Sequence, residues 1–396
     1  MASTDPVSPQ PEGDIKAKDN TTADANATNS DVEKQDPQSP PCCKTPQSRL
    51  SAFSSLGFLD RFLAVWIFLA MLIGILLGNF VDDVGPALQK GTFVDVSLPI
   101  AIGLLVMMYP ILCKVQYEKL HEVFRTREIW IQLGFSIVIN WIIAPLVMLG
   151  LAWAFLPDQQ GLREGLILVG IARCIAMVLI WNNLAGGNGD YCAILVAINS
   201  LLQIILFAPL SLLFIRVFNP TSHAAITISY STVATSVGVF LGIPLGAAIL
   251  TRLLLLRVLG PSRYQTHFLR FAAPWSLIGL LFTILVLFAS QGKQVIHQIV
   301  SVVRVAAPLV VYFGVIFFAT LLVARRMGFR YGFAVTQSFT AASNNFELAI
   351  AVAVAAYGPR SDQALAATVG PLIEVPVLLG LVYGVRWFAR RRGWEE

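Results

Sequence analysis

Residues 171–187 of this 396-residue chain read IARCIAMVLIWNNLAGG, and residues 340–358 read TAASNNFELAIAVAVAAYG. Each stretch holds a charged side chain inside a long apolar segment, Arg173 in the first and Glu347 in the second. A charge at the centre of a bilayer costs about 2.5–3.5 kcal/mol even on the mildest scale, and such charges usually face a cavity and act there. One such stretch in each half of the chain therefore predicts a substrate site inside a membrane protein.

The composition supports this class of protein. Hydrophobic residues make up 56% of the chain and charged residues 13%, whereas soluble domains carry about 25% charged residues. Nucleic acid is therefore not an expected partner, and membrane lipid is. No nucleophile–base pair, metal-ligand cluster or phosphate-binding loop is recognisable, so we expect neither an enzyme nor a cofactor, and no direct use of ATP.

The apolar residues occur in runs of roughly 20, the length that crosses a bilayer as an α-helix. We therefore predict an all-α polytopic membrane protein with ten transmembrane helices. The ten predicted segments are 58–80, 96–113, 129–156, 162–184, 190–218, 232–255, 272–291, 299–324, 332–357 and 363–386.

Loop charges predict the orientation of these segments. If the N-terminus is cytoplasmic, fourteen Lys and Arg residues fall in inside loops, and only Lys90, Arg163, Lys293 and Arg360 fall in outside loops. Positive charge is enriched in cytoplasmic loops. Both termini are therefore predicted to be cytoplasmic.

The two halves of the chain also match each other in order. Two halves of five segments each would lie upside down relative to one another, which is the inverted-repeat plan of many secondary transporters. Segments 4 and 9 are then the candidates for broken, crossing helices. A single offset of 171 aligns Cys174 with Asn345, Gly187 with Gly358, and Gln203 with Glu374.

These patterns divide the chain into five parts. Residues 1–50 are polar and are predicted to be a disordered cytoplasmic tail. Residues 51–218 form the first transmembrane repeat, 219–231 an extracellular linker, 232–386 the second repeat, and 387–396 a short basic cytoplasmic C-terminus.

The cysteines differ in their expected roles. Cys42 and Cys43 precede the first segment and are either palmitoylated or unmodified. Cys113 and Cys192 have the context of small buried apolar residues. Cys174 follows Arg173, whose positive charge favours the thiolate. Because thiolates are soft ligands, a thiophilic substrate is indicated.

The charged residues in the apolar segments allow alternatives. Arg173 bonds backbone carbonyls in a helix break, orients an oxygen-bearing substrate, or does both. Glu347 is either a proton relay or the partner of a permanent salt bridge to Arg173 or Arg252. Glu374 is a second candidate relay. Arg252 itself is expected to extend to the membrane surface.

Neutral polar residues supply further candidates for substrate binding. Asn344 and Glu347 are three residues apart, which predicts that they share one helical face. Trp181 lies seven residues after Cys174 and is therefore predicted to share its helical face. It is a candidate wall of the cavity or an interfacial residue. The remaining amides, some of which are expected to bond across helices, are Asn140, Asn199, Gln203 and Asn345.

With these residues the chain closely resembles the arsenical-resistance-3 family of arsenite efflux permeases, within the bile acid/sodium symporter-like superfamily. The resemblance rests on residues 171–178, 181–187, 197–200 and 340–353, and it covers about residues 55–390. The tail 1–50 lies outside it and is typical of a eukaryotic, fungal extension.

The resemblance implies a fold of ten spans in a five-plus-five inverted repeat. It also implies export of trivalent arsenic as arsenite, commonly in exchange for protons, across the plasma membrane, with the vacuolar membrane as the alternative. The essential cysteine of the family falls on Cys174 and its essential acid on Glu347. Antimonite is a second candidate substrate.

Two rival functions remain at this stage. A sodium-coupled symporter of organic anions, of the bile acid type, shares the fold and needs no thiol. The cluster of Asn344, Asn345 and Glu347 could bind sodium as well as a proton. A membrane receptor without transport activity is the other rival, but it would not need an internal repeat.

Overall fold

The computed structural model describes residues 62–394 except 82, 89, 119–126, 176, 219–228 and 298. In this part the chain is mostly helical, with one short antiparallel pair of strands, β1 (Thr92–Phe93) and β2 (Val96–Ser97). The predicted tail 1–50, the thiols of Cys42 and Cys43 and most of the predicted linker 219–231 lie outside the described residues.

The helices of the first half follow the predicted apolar segments. Segment 3 contains two helices joined by a π-helical turn, and segment 4 contains two separate helices. In chain order the helices are α1 (Leu63–Phe80), α2 (Val84–Leu88), α3 (Leu98–Cys113), α4 (Arg127–Val138), α5 (Ala144–Phe155), α6 (Gln160–Ile171), α7 (Val178–Ala185) and α8 (Gly189–Leu212).

The second half contains a comparable series. Segment 6 consists of two helices joined by a π-helical turn, and segment 9 again contains two separate helices. The helices are α9 (Tyr230–Val237), α10 (Ile243–Arg263), α11 (Arg270–His297), α12 (Ile299–Arg326), α13 (Tyr331–Ala342), α14 (Phe346–Tyr357) and α15 (Asp362–Arg392).

Among the described residues, five helical segments are long and apolar enough to cross a membrane: Ile129–Phe155, Gly189–Val217, Tyr230–Ser290, Val300–Arg326 and Asp362–Arg392. Shorter apolar helices accompany them. A helix satisfies all its backbone hydrogen bonds internally, which a chain in lipid requires. The protein is therefore an all-α, multi-pass membrane protein.

Proline explains two of the π-helical turns. The turn Ile139–Ile143 precedes Pro145, and the turn Gly238–Gly242 precedes Pro244. Because proline has no N–H and its ring crowds the carbonyl four residues earlier, the ordinary hydrogen-bond ladder is interrupted there. In both cases that carbonyl lies within the turn.

Helices α1 and α3 pack against α11, and α10 packs against α3. The contact between α3 and α11 is close, since a Cβ atom built on Gly279 would lie 2.7 Å from the backbone nitrogen of Met107. In the rest of the fold, α6 and α14 pack against α15, and α12 packs against α13. The helices of segments 4 and 9 therefore pack against other helices of the protein.

Arg252 does not extend to the surface as expected. Its side chain is buried and forms a bidentate ion pair with Glu118, with Nε 2.8 Å from one carboxylate oxygen. It also donates to the carbonyl of Cys113 (3.0 Å), which accepts a second bond from the hydroxyl of Tyr264 (2.9 Å). This network joins the end of α3 to α10.

Candidate functional site

Two helical segments are interrupted in the middle. Helix α6 ends at Ile171 and α7 begins at Val178, while α13 ends at Ala342 and α14 begins at Phe346. The backbone next to each break is extended, with ψ of 113° at Ala172. The breaks 172–177 and 343–345 occur inside the two stretches that carry Arg173 and Glu347.

The two breaks pair with each other. Arg173 and Asn344 form an antiparallel β-bridge in which the backbones face one another. Buried peptide groups need hydrogen-bond partners, and each break supplies partners to the other. The bonds that join them run from the N–H of Cys174 to the carbonyl of Ser343 (3.4 Å) and from the N–H of Asn345 to the carbonyl of Ala172 (3.0 Å).

Side chains from two further helices complete this pairing. The N–H of Arg173 donates to Oε1 of Gln203 in α8 (2.5 Å), and the N–H of Asn344 donates to Oε1 of Glu374 in α15 (3.3 Å). Each acceptor follows its donor by 30 residues, and the two donors are 171 residues apart. The backbone N–H in each break thus donates to a side chain of the long helix that follows in the chain, α8 for the first break and α15 for the second.

The guanidinium of Arg173 is fully buried against carbonyl groups. It donates to the carbonyls of Gly170 and Ala341 and to the hydroxyl of Tyr312. Gly170 and Ala341 lie in the last turns of α6 and α13, where the helix dipole is negative and a cation is stabilising. The geometry therefore agrees with the carbonyl-binding alternative for Arg173.

Helix α14 begins directly after the second break. The side chain of Asn345 caps it by accepting from the N–H of Leu348 (3.1 Å). Glu347 lies in its first turn, where the positive end of the helix dipole favours a negative charge. Asn344 precedes the helix, so the expectation that it shares a helical face with Glu347 was wrong.

A small cavity, about 10 Å³ in volume, lies where the two breaks meet. The first break contributes a thiol and the second contributes two amides and a carboxyl. Asn344 Oδ1 and Asn345 Nδ2 are buried without a hydrogen-bond partner in the described part of the protein. The lining residues are Met108, Ile111, Cys174, Ile175, Met177, Asn344, Asn345 and Glu347.

Several predicted site residues lie elsewhere. Trp181 is buried in α7, and the non-helical break separates it from Cys174, so the two do not share a helical face. Asn199 accepts from the indole of Trp141 (3.2 Å), and Asn140 donates to the carbonyl of Ser136 (2.8 Å). Arg173 and Glu374 form hydrogen bonds at the crossing, and none of these five residues lines the cavity.

Four lining residues were missed by the sequence reasoning: Met108, Ile111, Ile175 and Met177. All four are apolar and occur in apolar segments, so no signal in the sequence separates them from ordinary packing residues. Met108 and Ile111 also come from α3, far along the chain from either break. Ile175 and Met177 lie between α6 and α7, close to Cys174 in sequence.

The arrangement offers one soft ligand beside polar groups. Cys174 provides a thiol, and the amides and carboxyl on the opposite break provide hydrogen-bond donors and acceptors. Among the described residues, no group of three or more His, Cys, Asp or Glu side chains could hold a metal ion. The cavity thus combines one thiol with hydrogen-bonding amides and a carboxyl.

Comparison with known proteins identifies the family of this chain. Residues 62–298 match the family described as Sodium Bile acid symporter family. A protein of Corynebacterium glutamicum named Arsenical-resistance protein Acr3 is 46% identical over 337 residues, which cover 84% of this chain and 90% of that protein.

Two more distant relatives cover similar shares. An uncharacterized transporter of Synechocystis sp., slr0944, is 33% identical, over 86% of this chain and 93% of its own length. A second Arsenical-resistance protein Acr3, from Alkaliphilus metalliredigens, is 29% identical, over 83% and 92%. Since the family match covers more than half of the chain, this protein belongs to the sodium bile acid symporter family.

Proposed function

We propose that this protein is a secondary transporter that exports arsenite, the trivalent oxyacid of arsenic, from the cytoplasm. The observation that carries the proposal is the shared cavity of Cys174, Asn344, Asn345 and Glu347 at the meeting point of two interrupted helices. Two relatives of nearly equal length bear the name Arsenical-resistance protein. Antimonite, the heavier analogue, is the second substrate that we propose.

The chemistry of arsenite fits this cavity. Near neutral pH arsenite is mainly As(OH)₃, an uncharged molecule with a thiophilic centre. The thiol of Cys174 and As(OH)₃ exchange reversibly: a sulfur–arsenic bond forms, an arsenic–oxygen bond breaks, and the thiol proton leaves with the hydroxide as water. The amides of Asn344 and Asn345 hold the remaining hydroxyls. One thiol permits release, whereas three thiolates would hold the metalloid too tightly.

Coupling to protons is assigned to Glu347. A carboxyl inside a membrane is commonly part of a proton path, and Glu347 lies in the same cavity as the substrate thiol. In this scheme Glu347 takes a proton from outside and releases it inside, and the proton gradient drives arsenite outward. Glu374, bonded to the backbone of Asn344, is proposed as the second relay.

We propose that ten spans form two inverted repeats of five. Three observations at the offset of 171 support this. Helices α6 and α13 have bounds that differ by 171 residues at both ends, and the backbone bonds between the breaks map onto each other with that offset. The acceptors Gln203 and Glu374 also differ by 171. Alternating access would then be a movement of one group of helices against the other.

The orientation follows from the loop charges, with both termini in the cytoplasm. Export as a resistance function is most direct at the plasma membrane, which we propose as the location. The repeats would occupy residues 51–218 and 232–386, joined by an extracellular linker at 219–231.

A sodium-coupled symporter of organic anions is the second candidate. The description of the matching family favours it, and the amides and carboxyl of the cavity offer oxygen ligands of the kind that sodium uses. It predicts transport that depends on sodium and not on Cys174.

Everted membrane vesicles separate the two candidates. We expect a pH step, acidic inside, to drive arsenite accumulation without sodium. Glu347→Gln should abolish the pH-driven component, because glutamine does not titrate. Glu164→Gln is the matched control, since Glu164 is buried but hydrogen-bonded to Gln160 and Gln363, away from the cavity. Transport that required sodium and survived Glu347→Gln would contradict the proton scheme.

A further inference from the structure

The cavity at the crossing is small compared with its proposed substrate. A volume of about 10 Å³ is about the space that one water molecule needs. As(OH)₃ has four non-hydrogen atoms and Sb(OH)₃ is larger. Binding therefore requires some part of the wall to move, and the wall residues differ in how far they can do so.

The polar side of the wall is held in place. The N–H of Cys174 donates to the carbonyl of Ser343, and the N–H of Asn345 donates to the carbonyl of Ala172. The side chain of Asn345 also caps α14. Asn344 donates to the carbonyl of Val169 (2.7 Å). A movement on this side would break several buried hydrogen bonds at once, which is costly in an apolar surrounding.

The apolar lining residues are held at the backbone but not at the side chains. Helix α3 cannot retreat towards α11, because its backbone at Met107 already touches Gly279. Met177 is fixed at its carbonyl, which accepts from the N–H of Ile180 (3.0 Å) at the start of α7. Ile111 and Ile175 are β-branched and stiff at χ1. The side chains of Met108 and Met177 are unbranched, have three rotatable bonds and can adapt to irregular space.

From this contrast we propose that Met108 and Met177 form an adjustable sulfur wall that opens to admit the metalloid and determines the selectivity between arsenite and antimonite. This inference rests on the proposed function. Together with Cys174 they place three sulfur atoms around one cavity, two of them polarizable thioethers. Antimony is larger and softer than arsenic, so it depends more on the space and on the soft contacts that the two methionines provide.

Equilibrium binding to purified full-length protein tests the proposal. Arsenite and antimonyl tartrate are titrated calorimetrically into protein carrying Cys42→Ser and Cys43→Ser, so that the adjacent tail thiols do not bind either metalloid. We expect Met108→Leu/Met177→Leu to weaken antimonite binding by about fivefold or more and arsenite binding by less than about twofold, because leucine keeps the volume but removes the sulfur and one rotatable bond.

Met107→Leu is the matched control. Met107 is as buried as Met108 and adjacent to it in sequence, but it faces α11 and does not line the cavity. We expect it to leave both affinities unchanged. If the double variant does not fold, the single variant Met177→Leu, at a half-buried position, replaces it in the test. It should shift the ratio of antimonite affinity to arsenite affinity in the same direction.

The outcomes separate the two ideas. An unchanged ratio of affinities in a folded variant that still binds arsenite would overturn the role of the methionines and leave the proposed function intact. A ratio that changed as much in Met107→Leu would overturn it as well. If the parent protein bound neither metalloid, the proposed function would fail together with this inference.

Discussion

At the scale of single residues, position distinguishes Cys174 from the other described cysteines. Cys113 and Cys192 are equally buried, but neither lines the cavity. A buried cysteine behaves as a small apolar residue unless its surroundings give the sulfur access to a ligand. Only Cys174 among these three has that access, and it lies opposite an amide pair and a carboxyl.

We therefore expect Cys174→Ala to reduce arsenite efflux by a factor of at least about 10², the scale on which loss of one essential chemical contact acts. Cys192→Ala is the control, because it makes the same change at an equally buried cysteine that does not line the cavity, and it should keep most of the activity. Efflux from arsenite-loaded cells measures both. Equal losses in the two variants would show that the effect is one of packing and not of arsenic–sulfur chemistry.

At the scale of helices, the cavity depends on how α14 packs against α15. A Cβ atom built on Gly370 would lie 1.8 Å from the ring of Phe346, so the absence of a side chain there leaves room for that ring. Phe346 directly precedes Glu347 and begins α14. The position of the carboxyl is thus linked to a glycine on the neighbouring helix.

Gly370→Ala should displace Phe346, lower the unfolding free energy by about 1–3 kcal/mol and reduce transport. Gly380→Ala, in the same helix, has nothing within 4 Å of its added methyl group, so it should be neutral or slightly stabilising. Thermal unfolding in detergent and vesicle flux provide the two readouts. A Gly370→Ala protein with the parent's stability and flux would contradict this account of the packing.

The positions of the helices could be predicted from the sequence, but most of the contacts between helices could not. Runs of apolar residues predicted the segments because lipid permits few backbone structures, and polar residues within them indicated breaks near Arg173 and Asn344. The ion pair of Arg252 was not predictable, because Glu118 is distant in sequence. Met108 and Met177 were missed because an apolar side chain gives no sign in the sequence of whether it faces a cavity or a helix.

At the scale of the whole molecule, its dependence on pH should arise inside the membrane and not from surface charges. Asp158, in the loop between α5 and α6, forms an ion pair with Arg304 of α12 (Nη1 to Oδ2, 2.8 Å). The hydrogen bonds from Arg304 lower the pKa of Asp158 to about 2. An unpaired aspartate in an unfolded chain titrates near pH 3.9, roughly two units higher.

Because the folded pKa is the lower one, the stabilisation by this pair is present above about pH 4 and is lost as the pH falls towards 2. Between pH 5 and 8 it does not change. We therefore expect Asp158→Asn to leave the pH profile of arsenite transport in vesicles unchanged over that range, with at most a small loss of stability, since exposed pairs contribute little. A shifted midpoint would mean that this loop takes part in coupling.

The central claim is that one thiol, at the crossing of two interrupted helices, binds arsenic directly. Arsenic X-ray absorption of the arsenite-loaded, purified protein carrying Cys42→Ser and Cys43→Ser measures this. The account predicts one sulfur and two oxygen neighbours, and oxygen neighbours alone after Cys174→Ala. A sulfur signal that persisted in Cys174→Ala, or a parent protein without arsenic–sulfur bonding, would contradict it.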